Sequence, residues 1–584
     1  MSDTQATELW KRFENGMSYQ KAMGFSNLFP TCVDFKEGRQ WPAPTKRTKH
    51  LPRPVFNICE FYIRTKASNI LNQNIKMLYS PVQKDDSRAD EGAKKYSDYA
   101  ETLWKEMQHD LLNEEFIDDA ATVGTGILHY YWDNDVVGGV RQPIKGGLRG
   151  EILDPMTVFF GNPQDKRVQK QPLILIAQRC TVAAVRELAK AEKLPQEQIE
   201  LISGDDEYAD NYQAARQEMQ DDKKCTLLIC YYRKNGNVYF DRGTRGVMIT
   251  SGRSLTPQLP QEESAPEVEA AEPDGFETVE KIQPTITLYP IVIMNWRSRK
   301  RCAFGIGEVE DIIPAQKAIN WLHAMNQLAV QDMAWPKIKT KEGALRQPIT
   351  NEPGEIIIDY SPSGDGISYM DPPTFSNFVV SLIDKITEMS RMVSGVSEVA
   401  SGEPFTATMA ASAIIALQNQ AKQPIEKIQR RFYRCCEEIG RIWEQFFKTY
   451  YSLPRPMRAK DETGGEVFDQ FTGTDYADID FALDVDVGAG SEYSESLAQA
   501  TLDKLFDGGN IDLDTYIELA PKNVMPFKET LKRLREQAVL KAMQAGTVPV
   551  EQQVAEPVQS AAPSGRAPLG IPLPQIPQTG GVML

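Results

Sequence analysis

Two glycine pairs come closest to a recognisable functional motif in this chain. Gly124-Thr125-Gly126 and Gly305-Ile306-Gly307 lie near the ends of expected helices. A dinucleotide-binding loop needs three glycines, spaced GxGxxG, after a strand and before a helix. Neither pair has the third glycine, and the first pair lies between a helix and a strand in the wrong order. We therefore interpret both pairs as turns.

Other catalytic signatures are absent from the sequence. There is no GxxxxGK[ST] phosphate loop, no GxSxG nucleophile turn and no HExxH zinc motif. His129 lies in an aromatic strand, where a core role is expected, and the acid pairs Asp118-Asp119 and Glu437-Glu438 are expected on solvated helix faces. We predict that the protein is not an enzyme and has no catalytic residue, no metal and no cofactor.

Composition narrows the class of protein further. The chain has 584 residues, is 41% hydrophobic and carries a net charge of −16, which predicts several domains and argues against a broad basic face that grips nucleic acid. DNA that slides past a surface is not excluded. Eight cysteines without a CxxC pair, and only four histidines, favour free buried thiols. With no apolar run of membrane length and a polar start, a cytosol-like compartment is expected.

The first half of the chain alternates between helical and strand patterns. Helices are predicted at 57–79, 90–107, 111–123 and 182–193, and strands at 126–132, 151–160, 172–179, 225–232 and 286–294. An acidic insert at 251–284, with eight acids and no Lys or Arg between Gln261 and Glu280, is expected to be a flexible loop. The fold class predicted is therefore α+β.

Three long helices follow, and they dominate the second half. They are predicted at 307–335, 374–393 and 408–451, the last with a kink at Pro424. The module between the first two, 336–371, has strand candidates at 336–341 and 355–360. Strands near 477–487, helices over 492–545 and a disordered Pro- and Gln-rich tail at 546–584 complete the chain.

Two features of the long helices have both an ordinary and a functional interpretation. Residues 394–409 are rich in Gly, Ser, Thr and Ala, which suits a flexible linker or a mobile loop that touches a passing polymer without recognising its sequence. A basic cluster suits either a solvated or subunit-facing helix surface, or phosphate contact. Its members are Lys422, Lys427, Arg430, Arg431 and Arg434.

Several passages, in this order, resemble the portal (head-to-tail connector) family of tailed phages. They are DAATVGTGILHYYWD at 119–133, GEILDPMTVFFGNP at 150–163, YPIVIMNWRSRKRCAFGIGEVEDIIPAQKAINWLHAMNQLAVQ at 289–331 and ASGEPFTATMAASAIIALQNQAKQPIEKI at 400–428. The resemblance covers about residues 50–545. The order and spacing of these passages carry the comparison.

The resemblance implies the portal architecture, with a mixed α/β wing, a long-helix stem, a small α/β clip and a helical crown. The implied ranges are an N-terminal wing at 1–306 with its acidic insert at 251–284, stem helices at 307–335 and 372–393 around a clip at 336–371, a tunnel loop at 394–409, a kinked helix and wing return at 410–490, a crown at 491–545 and a disordered C-terminal tail at 546–584. These boundaries are expectations from the family.

The resemblance also implies partners and a location. They are a dodecameric ring of this chain, double-stranded DNA passing through its channel, the large terminase subunit, a head–tail adaptor or tail protein, and the major capsid protein with or without scaffolding protein; no membrane is implied. The ring would lie at the capsid vertex of the virion, after assembly in the host cytoplasm. A mostly negative wall would let DNA slide, since each phosphate contact adds attraction.

From their positions, nine residues are candidates for these surfaces. The channel wall would carry Lys385 and Arg391; the tunnel loop would carry Ser401, Thr406 and Thr408; the clip would dock the motor or adaptor through Lys337, Lys339, Lys341 and Arg346.

Two other classes remain open from the residues alone. A non-conducting collar or scaffold ring of a virion would have similar helices without the small-residue loop. A cytosolic enzyme with an unrecognised site would be a monomer or small oligomer with a concave pocket.

Overall fold

The structure is a computed structural model of the full chain. It describes residues 2–72, 75–82, 86–137, 145–205, 223–257, 284–334, 337–350, 356–370, 377–395, 411–460 and 466–487, with 502–506 and a few single positions up to 520. Two compact units are distinguished, Met1–Ser496 and Leu497–Leu584. The larger one mixes helices with several small antiparallel sheets, which confirms the α+β class.

Five helices form most of the N-terminal part. They are α1 (Ser2–Ala22), α2 (Phe25–Lys36), α3 (Ile58–Leu71), α4 (Ser87–Glu106) and α5 (His109–Val123). The side chain of Asn57 accepts a hydrogen bond from the backbone N–H of Glu60 and caps α3. The helices predicted at 90–107 and 111–123 are confirmed within a few residues.

The helix predicted at 57–79 is wrong in its second half. Helix α3 ends at Leu71, and strand β1 (Ile75–Pro81) follows. This strand pairs antiparallel with β16 (Phe481–Val487), Ile75 opposite Val487. The apolar residues Ile75 and Leu78 suited a helical stripe, but a partner strand about 400 positions away decides the conformation.

Two larger sheets lie between α5 and the long helices. A three-stranded sheet has the order β3-β2-β9, from β2 (Thr125–Val137), β3 (Lys145–Ile152) and β9 (Ile291–Asn295). A five-stranded meander is built from β4 (Val158–Phe160), β5 (Leu173–Thr181), β6 (Lys224–Lys234), β7 (Asn237–Gly243) and β8 (Met248–Ser254). Helices α6 (Val182–Ala191) and α7 (Gln196–Leu201) follow β5.

Three strand or loop predictions in this region need correction. The stretch 151–160 divides into the end of β3, a 3-10 turn at Pro155–Thr157 and β4, because Pro155 lacks the N–H that a continuous strand would use. The acidic loop does not begin at 251, since β8 runs to Ser254 and pairs with β7; positions 258–283 lie outside the described residues. The strand predicted at 286–294 begins only at Ile291, after Pro290.

The long helices are confirmed as α8 (Glu308–Ala334), α9 (Asn377–Ser394) and α10 (Ala411–Tyr450). Two-residue strands β10 (Arg297–Ser298) and β11 (Gly305–Ile306) pair just before α8. Helix α10 continues through Pro424. Strands β14 (Arg455–Lys460) and β15 (Glu466–Phe471), which the sequence pattern did not predict, form a hairpin after it.

The main core surrounds the second half of α10. Trp443 and Phe447 of α10, and Tyr451 directly after it, are fully buried and follow one another at a spacing of four residues. Tyr99 of α4 stacks on Phe471 of β15, with ring centroids 4.2 Å apart and an interplanar angle of 9°. Aromatic rings from α4, α10 and β15 therefore lock the chain's C-terminal strands onto its N-terminal helices.

The second unit is described at a few positions only. A helical stretch covers residues 502–506. The ring of Phe506 lies 4.9 Å from that of Tyr516. The helices predicted over 492–545 and the tail at 546–584 fall almost entirely outside the described residues.

Candidate functional site

Both glycine pairs belong to a single backbone contact at the start of α8, which we call the glycine junction (Gly124, Gly305 and Gly307). Gly124 ends α5 in the left-handed conformation, with φ of 96°. A Cβ atom on Gly305 would lie 2.2 Å from the carbonyl oxygen of Gly124, and one on Gly307 would lie 2.4 Å from that of Thr122. No side chain fits at these positions, so the end of α5 and the segment containing β11 pack backbone against backbone.

Hydrogen bonds fix the glycine junction. The N–H of Trp296 donates to the carbonyl of Gly124 at 3.0 Å. The hydroxyl oxygen of Thr125 accepts from the N–H of Gly305 at 2.8 Å and donates to the Asn295 side chain at 2.9 Å. The direction in which α8 leaves the sheets is therefore set by α5, β2 and β9 together.

A buried ion pair holds the first residue of α8. The Lys66 ammonium on α3 lies 2.6 Å from Glu308 Oε1, and the indole N–H of Trp296 donates to Glu308 Oε2 at 3.0 Å. Both charged side chains are buried. Burial lowers the pKa of Lys66, and the carboxylate of Glu308 opposes that shift.

A buried amide network holds α8 two turns further along. Gln316 accepts from the N–H of Ile58 at 2.9 Å and donates to the carbonyl of Phe56 at 2.7 Å and to Asn320 at 3.0 Å. Asn320 in turn donates to Gln40 at 2.7 Å. Because these groups are buried and mutually satisfied, they fix the segment before α3 against the side of α8.

Helices α8 and α9 pack as an antiparallel pair. The groove between them, about 150 Å³, is lined by the beginning of α8 (Asp311, Ile312, Ala315) and the end of α9 (Ile386, Met389, Ser390, Val393). Gly395 directly follows the last residue of α9, has φ of 72° and donates its N–H to the carbonyl of Arg391. A Cβ at Gly395 would lie 3.3 Å from the ring of Pro424, so the end of α9 lies directly against α10.

Both helices also expose large apolar side chains. On α8, Val330 is 58% exposed, and on α9, Met392 is 73% exposed. The remaining members of these two apolar stripes are Trp321, Met325 and Met333 on α8, with Val380, Met389 and Val393 on α9. An uncovered surface of this extent on a single chain is typical of a protein–protein interface.

The two channel-wall candidates lie on α9 in different environments. Lys385 is exposed, and it shares its exposed surface with Asp384 and Glu388. Arg391 is half-buried; burial raises the pKa of the Tyr62 hydroxyl to about 12, and the charge of Arg391 opposes that shift. Lys385 therefore faces solvent, whereas Arg391 lies near Tyr62 of α3. The tunnel-loop candidates Ser401, Thr406 and Thr408 lie outside the described residues.

The module between α8 and α9 contains one described hairpin. Strand β12 (Ile338–Thr340) pairs antiparallel with β13 (Ile367–Tyr369), and Lys339 lies opposite Ser368. The strand predicted at 355–360 is therefore wrong, since its described residues 356–360 form no ladder and β12 takes its partner from 367–369. An isoleucine run with strand propensity needs a neighbouring backbone to pair with, and the chain supplies it elsewhere.

The four clip candidates are all exposed on this module. Lys337, Lys339 and Lys341 alternate along one extended stretch, which directs them to the same face. Lys341 forms an exposed ion pair with Asp365 at 2.9 Å, and the guanidinium of Arg346 lies 4.3 Å from the ring centroid of Tyr360. Ile356, 86% exposed, lies on the same module. Cations and apolar residues are thus presented together.

The basic cluster on α10 does not act as one surface. Arg431 donates to the backbone carbonyls of Asn295 and Trp296, so it ties α10 to β9. Arg430 is exposed and pairs with Glu426 at 3.3 Å. The side chain of Lys422 lies outside the described residues. For Arg431, a structural role replaces phosphate contact.

The titratable groups considered for catalysis lie in different environments, from the buried His129 to the exposed Glu437. His129 is buried, with Nδ1 2.8 Å from Glu151 and Nε2 2.9 Å from the Tyr231 hydroxyl, and so links the two larger sheets. Asp118 and Asp119 are both half-buried rather than fully solvated, and desolvation raises the pKa of Asp119 to about 7. Within the described ranges, no group of three His, Cys, Asp or Glu side chains is arranged to hold a metal ion.

One charged feature was not predicted from the sequence. Residues 44–53, here called the basic loop, carry Lys46, Arg47, Lys49, His50 and Arg53. The signal that could have revealed it is local, because no Asp or Glu occurs between Gly38 and Cys59 in a chain that is strongly acidic. Net charge averaged over 584 residues conceals such a segment.

The geometry defines a structural subunit with two long helices, a small module between them and an apolar surface that one copy leaves uncovered. Residues 11–564 match the family described as phage P22-like portal protein. The chain belongs to that family, as the order of its motifs predicted. Portal proteins are structural components, which form an oligomeric ring at the capsid vertex of the virion.

No curated protein matches the chain. None of the helices in the described part of the chain is long and apolar enough to cross a membrane.

Proposed function

We propose that this chain forms a ring whose open axis conducts double-stranded DNA during genome packaging and ejection. The ring also docks the large terminase subunit and the head–tail adaptor or tail protein. The observation that carries this proposal is the pair of exposed apolar stripes on α8 and α9. Neighbouring copies that place these helices around an axis cover the stripes and leave a lumen, which one copy cannot enclose.

In this proposal the parts of the chain take the roles implied by the family. The helix pair is the stem, the module at 336–371 is the clip, residues 394–409 form the tunnel loop, and the sheets and N-terminal helices form the wing. The glycine junction, the Lys66–Glu308 pair and the amide network are the rigid connection between wing and stem. They transmit a fixed stem angle to every subunit, and small rotations per subunit determine how many copies close the ring.

Glutamate substitution on a stripe tests the ring. Val330→Glu places a charge in the proposed interface, where it would be desolvated without a partner at a cost of several kcal/mol. We expect purified Val330→Glu to give at least tenfold fewer rings than wild type in negative-stain images. The matched control is Leu201→Glu, an equally exposed aliphatic residue on α7. Equal ring yields from both variants, or wild-type rings without an open axis, would contradict the proposal; the latter result favours the non-conducting collar.

For the channel wall, we propose that Lys385 provides a sparse phosphate contact within an otherwise negative surface, with Arg391 and the tunnel-loop residues Ser401, Thr406 and Thr408 contributing further contacts. Asp384 and Glu388 beside Lys385 support this arrangement, because they weaken a contact that would otherwise retard sliding DNA. The variant Lys385→Glu is expected to change the packaging rate in a DNA-translocation assay. Lys190→Glu, an exposed charge reversal on α6, is the control. Identical rates would remove Lys385 from the wall.

The docking role of the clip rests on the lysine face of β12. A triple reversal of Lys337, Lys339 and Lys341 to Glu changes the local charge by six units on one exposed face. We expect it to block packaging or tail attachment while rings still form. The control reverses three exposed lysines on the wing, Lys166, Lys190 and Lys234. Normal packaging and tail attachment in the clip variant would refute the docking proposal.

A further inference from the structure

The basic loop is a concentrated positive charge on an acidic protein. Lys46, Arg47, Lys49 and His50 are exposed at its tip, while the whole chain has a net charge of −16. Charges farther away than about 10 Å are largely screened at 0.1 M salt. A ligand at the tip therefore experiences the local cations rather than the net charge of the chain.

The cations at the tip are not used within the fold. Nearby, Arg39 pairs with Asp34 and Glu37, and Lys36 pairs with Asp118. By contrast, no acidic residue in the described ranges forms an ion pair with Lys46, Arg47 or Lys49. These three charges are available to a partner.

The loop is ordered before any partner binds. The indole N–H of Trp41 donates to the carbonyl of Pro54 at 2.9 Å, and Arg53 donates to the carbonyl of Pro42 at 2.9 Å, so both bonds close its base. The N–H of Thr45 donates to the Thr48 hydroxyl at 2.9 Å and shapes the tip. A preformed loop loses less conformational entropy on binding than a flexible one.

The base of the loop rests on the side of α8. The ring of Trp41 meets that of Trp321 edge-on, with centroids 5.3 Å apart, and Phe56 lies 4.2 Å from the imidazole of His323. The amide network through Gln316 holds the same segment. The base of the loop is thus fixed to the side of α8, which places the basic tip beside this helix.

The chemistry of the tip favours phosphate over a protein surface. Protein interfaces centre on buried aromatic or aliphatic anchors, and no large apolar residue between Pro42 and Pro54 is exposed. Cations with nearby threonine hydroxyls are the groups that contact phosphate oxygens. The tip has no helix or strand to enter a groove, so base edges would not be read.

We propose that the basic loop binds the phosphate backbone of duplex DNA without sequence preference. This inference rests on the proposed function for the identity of the polyanion, and it adds a contact outside the nine residues assigned above. Lys46, Arg47 and Lys49 each neutralise a phosphate. The loop therefore provides a salt-sensitive hold on DNA beside the helix pair.

A triple variant that removes three positive charges from the basic loop tests the inference. Lys46→Gln, Arg47→Gln and Lys49→Gln are compared with Lys166→Gln, Lys190→Gln and Lys234→Gln, which remove the same charge elsewhere. Binding of the assembled protein to a fluorescent 30-base-pair duplex is measured by anisotropy from about 50 to 300 mM salt. Losing three phosphate contacts should make the slope of log K against log salt shallower by about 2.7 and weaken binding at 0.1 M salt by roughly 10² to 10³-fold. The control triple should retain the wild-type slope.

A second measurement needs no variant. In the wild-type protein, bound DNA should protect Lys46 and Lys49 from acetylation by a lysine reagent, with Lys166 and Lys190 remaining reactive. Unchanged slope and affinity in the loop variant, or unprotected loop lysines at saturating DNA, would overturn the inference. The inference would also be overturned if the loop variant lost binding to polyglutamate while its DNA binding was unchanged, since that result assigns the loop to an acidic protein.

The same preparations separate this inference from the proposed function. Negative-stain images record whether rings form in each sample used for titration. Rings with an open axis but no effect of the loop variant would refute the loop alone. DNA binding that depends on the loop, in a protein that never forms rings, would support the loop and refute the proposed channel.

Discussion

Replacement of Gly305 by alanine is the sharpest test of the glycine junction. The new Cβ would lie 2.2 Å from the carbonyl oxygen of Gly124 and 2.8 Å from that of Arg297. Both contacts are with backbone, which cannot rotate out of the way as a side chain can. The end of α5 and strand β11 must separate by about 1 Å to restore a normal contact, and overpacking a core in this way costs about 3 kcal/mol.

Two other glycines separate crowding from backbone strain. Gly246 has open space where a Cβ would be added and an ordinary φ, so Gly246→Ala should be neutral or stabilise the protein by about 0.4–1 kcal/mol. Gly236 also has open space, but its φ is 84°. Gly236→Ala should therefore show the left-handed penalty alone, about 1–2 kcal/mol.

The assay is thermal unfolding of the three variants and wild type, followed by tryptophan fluorescence. The yield of rings is measured separately for each protein. At about 2 °C per kcal/mol, Gly305→Ala should lower the apparent Tm by roughly 6 °C. We also expect its ring yield to fall, because a displaced α8 changes the stem angle. Unfolding of Gly305→Ala at the same temperature as Gly246→Ala would show that the close backbone contact does not exist.

Three further predictions concern charge and thiols. Burial already lowers the pKa of Lys66, and Glu308→Gln should lower it further because the neighbouring carboxylate is lost. Unfolding of this variant then takes up a proton on Lys66, so its free energy of unfolding should rise with pH more steeply than that of wild type as pH approaches 10. Urea titrations should show a rise of at most about 1.4 kcal/mol per pH unit. Asp119 has a raised pKa of about 7, so its carboxylate destabilises the fold above that pH; Asp119→Asn should be more stable than wild type at pH 8, by up to about 4 kcal/mol, and equal to it near pH 4. All eight cysteines are free and only Cys180 is partly exposed, so a thiol reagent should modify at most Cys180 in the native protein and all eight after denaturation; rapid native modification of a second thiol would contradict the burial.

The predictions that rested on local sequence patterns were mostly confirmed by the structure. The long helices were found within a few residues of their predicted ends, because an apolar stripe repeated over many turns identifies a helix without knowledge of its partner. Gly124 was correctly interpreted as a turn, since it ends α5, whereas Gly305 lies in the two-residue strand β11. The family was also recoverable, since the order of its motifs along the chain is a property of sequence alone.

Contacts between segments distant in the sequence account for the secondary-structure predictions that were wrong. The chain from Ile75 to Pro81 is a strand because Phe481–Val487 offers hydrogen-bond partners, and no local pattern encodes a neighbour about 400 residues away. The hairpin of β12 with β13 and the contact between Gly124 and Gly305 have the same origin. Arg391 and Arg431 show why binding sites are harder to predict than helices. The sequence shows that a cation is present, but packing decides whether its side chain contacts solvent, a backbone carbonyl or another subunit.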